Sequence, residues 1–168
     1  MTLQKYMDSL PKDGQFKIAI RLTKLALPIW ENYADKNSLT YRDTVIGLTH
    51  TVEKKILKDT IDAVEKYLNS NKIEKFIGVK SELTEIRRQF DDPIVALQDT
   101  DWELPNEVQK TFYAVYNLID YLLGKEKTVF DESTIYVSIN QAVDALETSK
   151  TLTFDEISKI LDEIKNGR

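Results

Sequence analysis

Along most of the chain, apolar residues recur at steps of three and four, the spacing that gathers them on one face of an α-helix. From Asp13 to Ala34 the stripe is Phe16, Ile20, Leu22, Leu25, Ala26, Ile29, Trp30 and Tyr33. Pro28 interrupts it, removing one backbone donor and crowding the carbonyl four residues back, so a kink or a break into two helices is expected near Leu25. After a loop at residues 35–38, the segment from Thr40 places Val45, Ile46 and Leu48 around Gly47 and predicts a short helix. From Glu53 to Leu68 the pattern is cleaner. Val52, Ile56, Leu57, Ile61, Val64 and Leu68 form an inward stripe, and the acids and lysines between them face water.

Lys72 to Phe90 predicts a further helix, ended by Asp91-Asp92-Pro93. The connector from Ile94 to Leu104 is the least regular stretch. Pro105 opens a helix striped by Val108, Phe112, Val115, Tyr116, Ile119, Leu122 and Leu123, and Gly124 suits its left-handed end. A loop from Lys125 to Phe130 leads to Asp131, which is positioned to cap a helix bearing Ile135, Val137, Ile139, Ala142, Val143 and Leu146. The β-branched, alternating run from Thr134 to Ile139 also fits a strand, but a lone strand would find no partner elsewhere, so helix is the expectation. Thr153-Phe154-Asp155-Glu156 has the spacing of a capping box and starts the last helix. Six or seven helices joined by short connectors predict an all-α, single-domain bundle over residues 1–168, built mainly of antiparallel helical hairpins.

Composition supports this class. Hydrophobic residues make up 42% and charged residues 30%, with only 5 Gly and 4 Pro to supply tight turns. The absence of cysteine excludes disulfides, zinc–thiolate sites and thiol nucleophiles. The opening MTLQKYMDSLPKDG lacks a basic stretch followed by a long apolar run, and no apolar run reaches the roughly 18 residues of a membrane span. A cytoplasmic protein without membrane insertion is the expectation. The formal net charge of −5 opposes phosphate backbones, and no local basic patch offsets it, so nucleic acid is not an expected partner.

Candidate chemistry is sparse. His50 is the one histidine, and its neighbours Asp43, Thr44, Thr49, Thr51 and Glu53 are the groups that could partner it in acid–base work. No metal-binding motif appears, and no glycine lies in a phosphate-cradling pattern, so no cofactor is expected. The strongest candidate for partner binding is the acidic stretch Asp91, Asp92, Asp99, Asp101 and Glu103 with Trp102 embedded in it. An aromatic anchor ringed by carboxylates suits a basic protein surface. The alternative is a solvated loop with the tryptophan folded onto the core.

The stretch Arg21-Leu22-Thr23-Lys24-Leu25-Ala26-Leu27-Pro28-Ile29-Trp30-Glu31-Asn32-Tyr33, followed by Tyr41-Arg42-Asp43, resembles the opening of small helical immunity proteins encoded beside bacterial polymorphic or contact-dependent toxins. The alanine-bearing segment from Ser138 to Leu146 is similar to a later helix of such proteins, and the resemblance covers about a third of the chain. It implies a non-enzymatic inhibitor that occludes one cognate toxin in the cytoplasm. An acidic surface would complement a basic nuclease toxin. The resemblance transfers no contact residue. Two other classes stay open: a helical adaptor or self-associating scaffold, and an enzyme relying on carboxylates and His50.

Overall fold

The computed structural model describes residues 3–43, 45–68, 73–91, 93–94 and 104–166. Among them are seven helices: α1 (Leu3–Asp8), α2 (Lys12–Ala34), α3 (Ile56–Leu68), α4 (Ile73–Gln89), α5 (Asn106–Leu122), α6 (Thr134–Thr148) and α7 (Phe154–Lys165). A two-stranded antiparallel sheet, β1 (Thr40–Arg42) and β2 (Thr49–Thr51), stands between α2 and α3. The protein is thus a predominantly α-helical bundle with one small hairpin. No helix among the described residues is long and apolar enough to cross a membrane.

The centre of the bundle is α2, which packs against α3, α5, α6 and α7. Its neighbours explain why burial exceeds the stripe expected for one face: Ile18, Ala19, Thr23 and Leu27 are buried as well as Phe16, Ile20, Leu22 and Trp30. The helix is continuous through Pro28, so of the expected kink or break, the break into two helices does not occur. Pro28 and Lys24, the residue whose carbonyl loses its helical partner, both lie on the exposed side, where water can satisfy that oxygen.

Antiparallel packing follows from pairs at opposite ends of neighbouring helices. Phe16 meets Tyr121 and Trp30 meets Phe112, so α2 and α5 run in opposite directions. Between α5 and α6, the Ser138 hydroxyl donates to the Ala114 carbonyl at 2.7 Å and Lys110 pairs with Asp144 at 3.4 Å. Buried Ala114, Ala142 and Ala145 let these two helices approach closely. This packing decides the ambiguity at residues 134–139 in favour of helix, since Ile135, Ser138, Ile139 and Ala142 all lie in the core.

Local signals determine several helix ends. Thr153 Oγ1 accepts from the Glu156 amide while the Glu156 carboxylate accepts from the Thr153 amide, completing the expected capping box on α7. Gly124 takes φ +96° just beyond α5. Asp131 is not the cap of α6. It has φ +63°, in the left-handed region that a short polar side chain tolerates, and Ser133 occupies the cap position.

The segment at residues 40–52 is the main departure from expectation. It forms a β-hairpin rather than a short helix. Thr40, Thr49 and Thr51 are β-branched and favour extended backbone, and Asp43 with Gly47 (φ +69°) supplies turn chemistry between the strands.

Candidate protein-binding hairpin

The hairpin is tied to the core at its base. Leu39 and Val52, both buried, flank the two strands, and the Val52 amide donates to the Leu39 carbonyl at 2.8 Å. Two residues further on, the Lys54 carbonyl accepts from the indole Nε1–H of Trp30 at 2.8 Å. Strand register pairs Thr40 with Thr51, Tyr41 with His50 and Arg42 with Thr49. Tyr41 and His50 turn toward the bundle, their ring centroids 5.5 Å apart.

At the other end the loop is held by its own side chains. The Asp43 amide donates to the Leu48 carbonyl at 2.8 Å, and the Gly47 amide donates back to Asp43 at 2.9 Å. One Asp43 carboxylate oxygen accepts from the amides of Val45 and Ile46 at 2.7 and 2.9 Å. The other lies 3.9 Å from His50 Nε2. The two loop amides are the main reason the Asp43 carboxyl titrates below the usual carboxylate range, with His50 and Arg88 adding to the effect. The Arg42 guanidinium closes the loop from outside by donating to the Gly47 carbonyl at 3.2 Å.

This bonding organises a tip whose side chains point away from the core. Val45 is 89% exposed, Ile46 59% and Leu48 58%. Folding gains little from apolar groups left in water, so a hydrogen-bonded tip presenting three of them is suited to another surface. Below the tip, a groove of about 380 Å³ opens between β2, the start of α3 and the end of α4. Its walls include Tyr41, His50, Glu53, Asp59, Ile86 and Gln89.

A second apolar tip lies at the opposite end of the bundle. Val129 (94% exposed) and Phe130 (81%) cap the connector between α5 and α6. The 2.9 Å ion pair of Lys12 with Glu126 fixes that connector beside the start of α2, whereas the hairpin follows the end of α2.

The acidic stretch singled out in the sequence is represented by Asp91 alone. Asp92, Asp99, Asp101, Trp102 and Glu103 lie outside the described residues. Asp91 is bound to Arg87, whose guanidinium also bonds Asp120 and the Tyr116 hydroxyl and stacks on the Tyr116 ring at 4.1 Å. Asp91 is therefore the exposed end of a charge network centred on Arg87. Of the groups proposed around His50, Asp43 comes within 3.9 Å of it through strand pairing and the turn, and Thr44 lies outside the described residues. Asp43 is committed to the loop amides. Among the described residues no group of three or more His, Asp or Glu side chains is placed to hold a metal ion.

The tip residues Val45, Ile46 and Leu48 were missed as a site because their spacing fits a buried helical stripe. The usable signal was two triplets carrying threonine and, in the first, tyrosine, on either side of a short segment bounded by Asp43 and Gly47. Fold and site together define a helical bundle that presents a hairpin with exposed apolar residues at its tip. No family model, curated protein or solved structure matches the chain.

Proposed function

We propose that the protein is a non-enzymatic binding protein that occludes a positively charged protein partner, in the manner of an immunity protein neutralising a toxin domain. The observation that supports this reading is the exposed, hydrogen-bonded hairpin tip of Val45, Ile46 and Leu48. Hydrogen bonds that hold the tip before docking lower the ordering cost of binding, so more of the apolar burial appears as affinity. The net charge of −5 favours encounter with a basic surface.

The test is co-expression with the product of the neighbouring open reading frame. Under the proposal that product is toxic alone, is neutralised by the wild-type chain, and binds it with an affinity that falls steeply as salt rises. A Val45→Ser, Ile46→Ser, Leu48→Ser variant loses protection while remaining folded. Failure of the neighbouring product to associate at low salt would refute the toxin reading.

The second apolar tip favours an alternative, an adaptor joining two proteins at opposite ends of the bundle. Under that reading, Val129→Ser with Phe130→Ser abolishes one interaction and leaves the hairpin's intact.

A further inference from the structure

We propose that the groove at the foot of the hairpin receives a basic side chain of the partner, with arginine preferred over lysine. This inference rests on the binding reading above and assigns the groove a task distinct from that of the tip.

The groove combines three features that a guanidinium requires. The first is room: about 380 Å³ between hairpin and helices exceeds the volume of one side chain and leaves space for its apolar stem. Ile86 and Ile56 in the wall suit the methylenes of such a stem.

The second is uncommitted negative charge. Glu53 and Asp59 both line the groove, and neither forms a salt bridge among the described residues. Of the nearby cations, Lys55 is exposed and forms no salt bridge with either carboxylate among the described residues, and four others are engaged elsewhere. Lys54 pairs with Asp35, Lys58 with Asp62, Arg88 with Glu85, and Arg42 donates to the Gly47 carbonyl. A partner's cation would therefore meet carboxylates without displacing an internal ion pair.

The third is a flat wall. Tyr41 and His50 form a tilted aromatic pair, 31° between ring planes. A planar guanidinium can lie against an aromatic face while its N–H fork reaches a carboxylate, a combination that a lysine ammonium matches less well. The tip follows directly on the same two strands, so one partner can engage both. Its apolar surface would cover Val45, Ile46 and Leu48 while its arginine fills the groove.

The test is an amide-shift titration of the full chain with acetyl-arginine amide and with acetyl-citrulline amide, which keeps the planar shape and loses the charge. The arginine compound should shift the amides of His50, Glu53, Asp59 and Gln89 saturably, and the citrulline compound should bind at least about tenfold more weakly. Acetyl-lysine amide should fall between them. A Glu53→Gln, Asp59→Asn variant, altered only at exposed positions, should remove the difference between arginine and citrulline. Equal binding of the two compounds, or an arginine response unchanged in that variant, overturns the proposal.

The serine variant of the tip should leave the arginine response intact. If the response is absent while the neighbouring product still binds, the groove assignment fails alone. An intact response without binding of that product defeats the toxin reading alone.

Discussion

The indole of Trp30, in the middle of the core, donates its single hydrogen bond to the backbone carbonyl of Lys54 at 2.8 Å. The same ring packs edge-on against Phe112 with centroids 4.7 Å apart. Bundle core and hairpin base are therefore joined through one side chain. Trp30→Phe removes the donor and keeps most of the aromatic contact. It should cost about 0.5–1.5 kcal/mol, the net worth of one hydrogen bond whose acceptor water can still reach, and should raise amide exchange at Val52 more than in α6. Urea unfolding and hydrogen exchange measure the two effects.

Asp43→Ala should loosen the tip without unfolding the bundle, because Asp43 bonds the loop and contacts little of the core. Faster amide exchange at Val45 and Ile46, with melting temperature nearly unchanged, is the expected result. The pH dependence has a definite sign. Asp43 has its carboxyl lowered in the folded protein, so its contribution is present above the ordinary carboxylate value of about 3.9 and is lost as pH falls through the lowered folded value. Protection of the two amides should fall with acidification in the wild type and be insensitive to that acidification in the alanine variant.

Arg87→Met should be among the most damaging single substitutions at a charged position. Arg87 and Asp120 have side chains only 12% and 10% exposed, and removing the cation leaves Asp120 with Lys125 as its remaining partner at 3.2 Å. Breaking one side of a buried pair costs about 3–5 kcal/mol, and Lys125 should hold this case at the lower end. Adding Asp120→Asn should recover part of the loss, since the uncompensated charge is then gone. Denaturant midpoints of the single and double variants provide the comparison.

Thr153→Ala should destabilise by about 1 kcal/mol through loss of the α7 cap. The change should appear as a lower denaturation midpoint with an unchanged slope.

The single serine substitutions at Val45, Ile46 and Leu48 should each alter stability by no more than about 0.5 kcal/mol, because the side chains are already in water. Their effect on partner affinity should be larger, on the order of 2 kcal/mol where a side chain is fully covered in the complex. Calorimetry with the purified partner measures the affinities; equal, negligible losses at all three positions would exclude the tip as the contact.

Much of the bundle was legible along the chain. The stripe of α5 and that of α3 as far as Val64 read correctly because each helix presents one face to the core, although Leu68 is exposed, and the Thr153–Glu156 box and Gly124 act within a single turn. The hairpin was illegible for a different reason. Val45, Ile46 and Leu48 satisfy helical spacing, yet all three are exposed. Periodicity records which positions are apolar and says nothing of whether a partner element is there to cover them. Of the acidic stretch read as the binding surface, the described residues include Asp91 alone, whose exposed carboxylate pairs with Arg87 four positions before it.

By itself the sequence determined the helical class, the main helix ends and the negative charge, since these depend on neighbours within a few residues. Only the tertiary structure decided that α2 would be enclosed on several sides, that Pro28 could face water inside an unbroken helix, and that the Thr40–Thr51 segment would stand out as a hairpin with an apolar tip. Burial is a property of the surroundings, and for these residues the surroundings are supplied by helices distant in the chain.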